Sequence, residues 1–423
     1  MDEVAVVTVF LRHRGEVLLL RRSDAVDSYP GKWGAVAGHV ANDDPLDTAY
    51  SEIEEETGLQ AHDVTLVTEG PIVSVDDETR GTRWQVHPFL FDADTQEVST
   101  NWETDTFEWA APTALLRRDT VPELWTSYRR VAPSVVDLTD DTTHGSAYLS
   151  VRALEVLRDR AGQLATADAN DIKDARARLI ETTDRLLDAR PTMAALANRI
   201  HRVLYASRPA LAPDTVEANA HEAIDRAHDA ETAAARTAAD VVEGKHVLTL
   251  SRSGTVQAAL HHGAPNAIVV ATSHPGGEGI GVAERLAKGE QDVSLIPDTA
   301  VPAVLAERDI DLVLVGADTV HPSGAVVNKV GTRGAALAAH HEDVPVYVAS
   351  SIDKVSPTPS RLTEVVPRHD VYDGPAPLEV WAPRFDITPP ALITGGFVTE
   401  RGRHGADAVE SIAEELAQLR EWQ

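Results

Sequence analysis

Hydrophobic and polar positions alternate through the first third of the chain, which is the pattern of β-strands with one buried face. Between the second and third of these segments, apolar residues recur at helical spacing from Pro45 to Thr57. Gly58 follows at the position where helices commonly end in a left-handed residue. A last helix is expected to start near Thr113. The strands predicted in residues 1–132 are Val4–Leu11, Val17–Leu20, Val64–Val67 and Trp84–Phe91.

The remaining residues change from a linker to a helical pattern and then to alternating strands and helices. Residues 133–145 predict a linker, and residues 146–243 are helical almost throughout. Residues 244–423 contain short continuous apolar runs separated by helices, which indicates a parallel sheet buried on both faces. The predicted middle helices are Arg152–Leu157, Ile172–Leu187, Met193–Leu204 and Val216–Val242, and the predicted strands after them are His246–Leu250, Ala267–Val270, Val293–Ile296, Leu312–Val315 and Val344–Val348. The fold class is therefore α/β, with a helical middle segment and a C-terminal Rossmann-like sheet.

Composition narrows the setting of the protein. The chain has 423 residues and a net charge of −29, and only six of its basic residues are lysine. Such excess carboxylate keeps a protein hydrated where salt screens its repulsion, so we interpret the composition as halophilic. The same charge argues against non-specific nucleic-acid binding. The absence of a basic leader and of any run near the roughly 20 apolar residues of a membrane span leads us to expect a cytoplasmic protein without membrane contact.

The chain contains no cysteine. Disulfides, thiolate catalysis and thiolate metal sites are therefore excluded.

Three glutamates of the predicted Pro45–Thr57 helix, Glu52, Glu55 and Glu56, lie at positions i, i+3 and i+4 and share one face. Clustered carboxylates repel one another unless a cation lies among them, and their oxygens suit Mg²⁺ or Mn²⁺. Such an ion can also bind a diphosphate and activate a water. The alternative interpretation is a solvated acidic face in an already acidic protein.

Residues Gly38 to Leu59 resemble the Nudix box, because the helix ends in Ser51-Glu52-Ile53-Glu54-Glu55-Glu56-Thr57-Gly58-Leu59 after a glycine-rich segment. This resemblance implies a Nudix domain of α/β/α sandwich type over residues 1–132. It also implies that Glu52, Glu55 and Glu56 bind Mg²⁺ or Mn²⁺ and catalyse hydrolysis of a small-molecule diphosphate. The loop after Gly38 is one residue short, so that Asp43 or Asp44 stands near the family's first glutamate, and Ser51 replaces the family's arginine. In the family these two residues support each other as a brace between the helix and the loop. Because both residues differ here, we expect another contact to replace that brace.

The substrate stays open between a nucleoside diphosphate and a sugar diphosphate. Trp84 and Trp102 could each stack on a base, although core packing is the expected role of both.

Polar and glycine residues follow the apolar runs of the C-terminal region. Hydroxyls and free backbone N–H groups between a strand and a helix start can bind phosphate, and open α/β sheets bind ligands at the carboxyl ends of their strands. Asp318 is one of the candidates for such a site, and the alternative to a ligand-binding role is that it caps a helix or braces a loop. The candidates for a phosphate site are Ser251, Ser253, Gly254, Asp318, Asn328, Lys329 and Lys354.

Residues 145–400 resemble the translation initiation factor 2B α/β/δ family, which includes ribose-1,5-bisphosphate isomerase and methylthioribose-1-phosphate isomerase. The segments that carry the resemblance are ARPTMAALANRI, VLTLSRSGTV, SHPGGEG, LIPDTAV, LVGADTV, GAVVNKVGT and VPVYVASSIDK. It implies that Arg190 contributes to a sugar-phosphate or nucleotide site, and that the chain self-associates as a dimer or a dimer-based assembly.

The isomerases of this family use a cysteine and an aspartate. Asp318 matches the aspartate, but Ser251 stands at the cysteine position, and a serine hydroxyl is a poor proton-transfer group without a neighbouring base. Leu250 and His274 replace a histidine and an arginine of the family. We therefore expect a Nudix hydrolase with a ligand-binding module. The alternatives are a non-catalytic regulatory protein and, least favoured, an isomerase.

Overall fold

The computed structural model describes residues 1–40, 44–167, 172–289, 291–359 and 364–422. Asp43, a sequence candidate for the Nudix loop, lies outside these residues. The chain forms two compact units. The first contains Met1–Asp137, Leu154–Thr183 and Leu211–Asp225, and the second contains Leu138–Ala153, Asp184–Ala210 and Arg226–Gln423.

The first unit is built around an eight-stranded mixed sheet with the order β3-β2-β1-β7-β5, to which β4, β6 and β8 add by pairing with β1, β7 and β2. Strands β1 and β7 are parallel over eleven residue pairs, from Asp2 with Thr82 to Arg12 with Asp92. The elements are β1 (Asp2–His13), β2 (Glu16–Arg22), β3 (Trp33–Gly34), β4 (Val36–His39), α1 (Pro45–Thr57), β5 (Val64–Glu69), β6 (Val73–Asp77), β7 (Thr82–Ala93), β8 (Thr104–Ala110) and α2 (Leu124–Val131).

Alternation along β1 explains why this sheet is covered on both faces. Val7 and Val9 pack in a cluster with Ala49 and Ile53 of α1. Phe10, which points to the opposite face, packs in a second cluster that contains α2. The α/β/α sandwich predicted for the N-terminus is therefore confirmed.

The prediction that the last helix of this region starts near Thr113 is wrong. The structure has a 3₁₀ turn at Pro112–Leu116, and α2 begins at Leu124. The cause is pairing with Trp33, whose N–H donates to Asp119 O and whose carbonyl accepts from Val121 N. This extended segment prevents a helix from continuing. Strands β6 and β8 had no clear sequence signal, because many of their side chains are exposed.

Five helices follow: α3 (Val135–Asp140), α4 (Ser146–Ala165), α5 (Ile172–Ala189), α6 (Ala194–Ala206) and α7 (Pro213–Val242). The predicted linker thus contains a short helix. Helices α4, α5 and α7 each contribute residues to both units. The domain boundaries predicted from the sequence, at residues 132, 145 and 243, do not coincide with the borders of these compact units. As boundaries between sequence modules they stay predictions.

The second unit contains a seven-stranded sheet with the order β11-β10-β9-β12-β15-β17-β18, in which only the β17–β18 pair is antiparallel. Apolar clusters cover both faces, so the parallel, doubly buried sheet is confirmed. A separate three-stranded sheet has the order β13-β14-β16. The elements are β9 (His246–Leu250), α8 (Gly254–His262), β10 (Ala267–Ala271), α9 (Glu278–Lys288), β11 (Val293–Ile296), α10 (Val301–Glu307), β12 (Leu312–Val315), β13 (Thr319–Val320), β14 (Val326–Lys329), α11 (Thr332–His341), β15 (Val346–Ala349), β16 (Phe385–Thr388), β17 (Gly396–Thr399), β18 (Gly402–His404) and α12 (Ala406–Gln418).

Strands β9, β12 and β15 are adjacent and parallel, so their carboxyl ends meet at one edge of the sheet. The segments that follow them contain Ser251, Asp318 and Lys354. In the part of the chain that the structure describes, no helix is long and apolar enough to cross a membrane.

Candidate functional site

Helix α1 presents the acidic residues of the first unit. It begins after Asp44, whose carboxylate accepts a hydrogen bond from Leu46 N, and it ends at Gly58, which has the left-handed φ of 74°. The bounds predicted for this helix are confirmed. Ser51 is exposed, and its hydroxyl donates to Asp47 O in the same helix. Ser51 and Asp44 are both exposed, so neither of these two described residues leaves a buried charge without a partner.

Glu52 and Glu56 point toward β4. The Glu56 side chain is 5% exposed, and its Oε1 accepts a hydrogen bond of 2.8 Å from Ala37 N. The Glu52 carboxylate lies directly over Gly38, where an added Cβ would come within 1.7 Å of Oε1. Gly38 is therefore required by the space that Glu52 occupies. Glu55, in contrast, is exposed.

Glu56 is buried and Glu52 is half-buried, and the electrostatic environment disfavours the charged form of both carboxylates. Burial, with Glu55 and Glu103 nearby, raises the pKa of Glu52 to about 7. Burial raises the pKa of Glu56 to about 8; Glu52 and Glu103 add to this increase, while the Ala37 hydrogen bond and Arg22 oppose it. Burial is the main cause in both cases, because it removes the charged carboxylate from water, and the neighbouring carboxylates add to the increase. Glu103 belongs to this group and was missed, because it lies in a loop about fifty positions away along the chain.

The chemistry of these donors suits a hard divalent cation, because carboxylates without a counter-ion gain most from one. Their arrangement is incomplete: among the described residues, no group of three or more His, Asp or Glu side chains is placed to hold a metal ion. The structure thus brings Glu52 and Glu56 together and leaves Glu55 apart. The coordination of a metal by all three residues stays a prediction.

A cavity of about 110 Å³ is lined in part by Ala37 and Gly38, the two residues that Glu56 and Glu52 contact. Trp84 and Tyr29 also line it, and Trp84 Nε1 donates to the Tyr29 hydroxyl at 3.1 Å. Core packing was the expected role of Trp84, and its ring does pack against the cluster of Val73, Val75 and Val86, while it also lines the cavity. For Trp102 core packing is wrong, because this side chain is 66% exposed.

A second and larger cavity, of about 470 Å³, lies in the second unit. It brings together the candidates that the sequence singled out, which come from the segments after β9, β12 and β15, the end of β14, the start of α8 and the bend between α5 and α6. The sequence candidates that line it are Arg190, Ser251, Ser253, Gly254, Asp318, Asn328, Lys329 and Lys354.

The segment after β9 forms one wall of this cavity. Ser251 has a left-handed φ of 68°, which costs a non-glycine residue roughly 1 kcal/mol, and its N–H donates to Ser273 Oγ at 2.7 Å. Ser253 caps α8 by accepting from Val256 N. Gly254 is the first residue of that helix, so free N–H groups of the first turn lie at the cavity.

Asp318 and the two lysines form the polar floor. Asp318 is half-buried; burial raises the pKa of its carboxyl, and Lys354 offsets part of that increase. Lys329 Nζ lies 2.8 Å from Glu278 Oε1. Lys354 is 5% exposed, and within the described residues its ammonium forms no hydrogen bond or ion pair. It is therefore a cation available to a ligand.

The other two candidates are partly engaged by the protein. Arg190 donates from Nε to Leu138 O at 2.7 Å and from a second nitrogen to Asp141 O. Asn328 donates to Thr332 Oγ1 at 3.0 Å. Both line the cavity, but their donors first stabilise its walls.

Sequence reasoning missed Glu231 of α7, which lies beneath this cavity. Its carboxylate accepts hydrogen bonds from Thr255, Ser351 and Arg199. Although burial opposes it, Lys354 and Arg199 lower the pKa of Glu231. The signal was present: Glu231 lies four positions from both Ala227 and Ala235, which are buried, so it belongs to the buried stripe of an alanine-rich helix. Glu364 and Arg384, also missed, line the cavity from outside any of the quoted motifs.

One candidate site lies on helix α1, which packs on a mixed sheet, and the other lies at the carboxyl edge of a parallel sheet. Together they define a two-module α/β protein. The family models agree: the Initiation factor 2 subunit family matches residues 142–404, and the NUDIX domain matches residues 1–131. The chain belongs to the Initiation factor 2 subunit family and has a NUDIX domain at its N-terminus. Both resemblances inferred from the sequence are confirmed.

Curated relatives include a methylthioribose-1-phosphate isomerase of Gemmatimonas aurantiaca, 33% identical over 54% of this chain and 72% of that protein. A ribose 1,5-bisphosphate isomerase of Haloferax volcanii is 31% identical over 64% of this chain and 88% of that protein. Among solved structures, the initiation factor eIF-2B of Pyrococcus horikoshii has a TM-score of 0.54 at 24% identity, covering 64% of this chain and 94% of that one. This last similarity shows the fold.

Proposed function

We propose that the protein is a metal-dependent hydrolase of a nucleoside or sugar diphosphate, with chemistry in the NUDIX domain and a phosphorylated ligand bound by the second module. The observation that carries the proposal is the pair Glu52 and Glu56, which lie half-buried and buried against β4 and whose pKa values are raised by burial and by neighbouring carboxylates. Bound Mg²⁺ or Mn²⁺ would supply neutralisation of the diphosphate and activation of water.

The residues of the chain have separate tasks in this proposal. Glu52 and Glu56 would hold the cation, and they would release their protons when it binds because their pKa values lie near 7 and 8. Glu55 is the third family-type ligand and would join from its exposed position. Arg22 lines the cavity and is close enough to lower the pKa of Glu56, so it can orient a phosphate group.

In the second module, Ser253, Gly254 and Lys354 would bind the phosphate of a sugar phosphate or nucleotide, which is either a product of the first reaction or a regulator. We further propose that the module self-associates as a dimer or a dimer-based assembly and that the protein acts in the cytoplasm of a halophile.

The test is a panel of diphosphates incubated with the full-length protein and Mg²⁺. We expect phosphate-ester products from at least one member, and a loss on the order of 10³-fold in kcat/KM for Glu52→Gln and Glu56→Gln. Glu54→Gln is the matched control, because Glu54 is an exposed glutamate of the same helix. Product formation that is equal in all four proteins would contradict the proposal.

A second candidate is a non-catalytic regulatory protein, favoured by the incomplete ligand arrangement around Glu52 and Glu56. It predicts ligand binding to the second cavity and no hydrolysis of any diphosphate.

Isomerase activity is the least favoured candidate, although two relatives bear isomerase names. Ser251 stands where the isomerases have cysteine, and neither a histidine nor a carboxylate hydrogen-bonds its side chain within the described residues. Turnover of ribose 1,5-bisphosphate that is lost in Asp318→Asn would establish this activity; we expect none.

A further inference from the structure

Two walls of the second cavity would bind the phosphate group in the proposed function. One is the start of α8, with Ser253 and Gly254, and the other is the segment after β15 that ends at Lys354. The strands that lead into these walls, β9 and β15, are separated in the sheet by β12. A ligand that contacts both walls requires their separation to be fixed within about 0.5 Å. Strong binding therefore depends on a contact that joins them.

The Glu231 carboxylate of α7 joins these two walls, one with each oxygen. Its Oε2 accepts a hydrogen bond of 2.6 Å from Thr255 Oγ1, in the first turn of α8. Its Oε1 accepts a hydrogen bond of 3.0 Å from Ser351 Oγ, in the segment that leads to Lys354. Thr255 and Ser351 are buried, so neither hydroxyl can turn to bulk water for an acceptor.

Arg199 of α6 fixes the Glu231 carboxylate and keeps it charged. Its Nη2 lies 3.2 Å from Glu231 Oε1, and its Nε donates to Asp353 Oδ2 at 2.9 Å. Burial acts against the charged form of Glu231, but Lys354 and Arg199 overcome it and lower the pKa of that carboxyl. The carboxylate is therefore ionised at neutral pH, and both of its oxygens are acceptors.

A carboxylate suits this position because each of its oxygens accepts from one wall. A glutamine would offer one acceptor oxygen and one NH₂ group, which only donates. One of the two buried hydroxyls would then lose the acceptor for its proton, which is costly. Among the described residues that line the cavity, Glu231 is absent, so it acts on a ligand through the residues that it holds.

We propose that Glu231 is a positioning residue of the second cavity, which holds the start of α8 and the segment of Lys354 at the separation that a phosphate group requires. The inference rests on the proposed binding of a phosphorylated ligand by the second module. The sign of the effect separates positioning from simple electrostatics. Removal of a negative charge near an anion site should by itself tighten anion binding, whereas loss of positioning weakens it.

The experiment measures, by calorimetry on the full-length protein at fixed ionic strength, the affinity for inorganic phosphate and for ribose 5-phosphate. We expect Glu231→Gln to weaken binding of both about tenfold, although it removes a negative charge. Thr255→Val keeps that charge and breaks only the link to α8, so it should weaken binding about threefold. Asp240→Asn is the matched control without effect, because Asp240 is an exposed acid of the same helix.

A double-mutant cycle tests whether Glu231 acts through the wall of Lys354. Once Lys354→Met has removed the ammonium, the separation of the two walls matters less to a phosphate. Glu231→Gln should then weaken binding by at most about threefold in place of tenfold. A residue that only stabilises the fold would weaken binding by the same factor in both backgrounds.

The outcomes separate this inference from the proposed function. Wild-type binding that is unchanged or tighter in Glu231→Gln, or weakened equally with and without Lys354, overturns the inference and leaves ligand binding by the second module intact. Absence of wild-type binding to either compound overturns both. If Glu231→Gln does not fold, Thr255→Val decides: weaker binding supports the inference, and unchanged binding overturns it.

Discussion

Glu56 in the first unit and Asp353 in the second are both buried carboxylates, 5% and 3% exposed, yet the pKa moves in opposite directions. Burial raises the pKa of Glu56 to about 8. Burial acts on Asp353 too, but Arg199 and Arg202 overcome it and lower its pKa. Arg199 Nε lies 2.9 Å and Arg202 Nη1 2.7 Å from the Asp353 carboxylate.

The difference separates a carboxylate whose charge is balanced within the protein from two carboxylates that we propose bind a metal ion. Asp353 has its cations within the protein, so it holds the segment that contains Lys354. Among the described residues no cation forms an ion pair with Glu52 or Glu56, and Arg22 only partly offsets the burial of Glu56. Bound Mg²⁺ or Mn²⁺ would therefore stabilise both carboxylates. Perturbed carboxylates beside a cavity are typical of functional sites.

The largest expected effect comes from breaking the compensated network. Arg199→Met would leave Asp353 and Glu231 short of positive charge, and we expect the second unit to lose about 3–5 kcal/mol of unfolding free energy. Because a two-unit chain need not unfold in one step, hydrogen exchange of β9 and β15 amides is the appropriate measurement. Arg401→Met, which removes an exposed pair with Glu415, should cost at most about 1 kcal/mol. Equal losses of unfolding free energy in Arg199→Met and Arg401→Met would contradict the structural role of the buried ion pairs of Arg199.

The uncompensated carboxylates predict an unusual dependence of stability on pH. A carboxyl whose pKa is raised on folding stabilises the protein fully below its unfolded value and loses this contribution as pH rises through the folded pKa. Without metal, the first unit should therefore become less stable between about pH 5 and 8, by an amount on the order of a few kcal/mol. Mg²⁺ should restore stability at pH 8. Glu56→Gln should flatten the metal-free profile, whereas a profile that rises with pH in the wild type would be inconsistent with this account.

The available cation of the second cavity can be tested separately. Lys354→Met should weaken binding of inorganic phosphate or of a sugar phosphate by about 10- to 100-fold, because it removes a charge-assisted hydrogen bond. Calorimetry at fixed ionic strength measures this. The control is Lys245→Met, since Lys245 is half exposed on the surface of the same unit. An equal loss in both variants would indicate a general effect of charge.

The smallest expected effect concerns Gly38. Gly38→Ala places a methyl group where the Glu52 carboxylate lies, and we expect a cost of about 1–3 kcal/mol in stability together with weaker Mg²⁺ dependence. At Gly34 the nearest atoms to an added Cβ are 3.9 Å away, so Gly34→Ala should be tolerated. Melting temperatures with and without Mg²⁺ test both.

Sequence patterns predicted the parts of the fold that depend on local periodicity. Helix α1 and strands β9, β11 and β12 have the predicted bounds, because each is either an amphipathic helix with clear caps or a continuous buried run. Strands with exposed faces, such as β6 and β8, were missed because their side chains give little contrast between buried and solvated positions.

The candidate sites show the same limit. Motifs located Glu52, Glu56 and Lys354, but the partners that set their electrostatics come from distant segments. Glu103 has this role through tertiary proximity, which neither spacing nor propensity encodes. The helical spacing of Glu231 indicated its burial but not the partners around it. The exposure of Glu55 also depends on how α1 packs, so only the structure could separate it from its two neighbours.

The central claim, that Glu52 and Glu56 are a metal site in need of its cation, is tested most directly by counting bound Mn²⁺ with electron paramagnetic resonance at pH 6 and pH 8. The account predicts at least one bound ion in the wild type at pH 8, weaker binding at pH 6 because the carboxyls are protonated, and loss of this ion in Glu56→Gln but not in Glu54→Gln. Binding that is independent of pH and unchanged in Glu52→Gln and Glu56→Gln would contradict it.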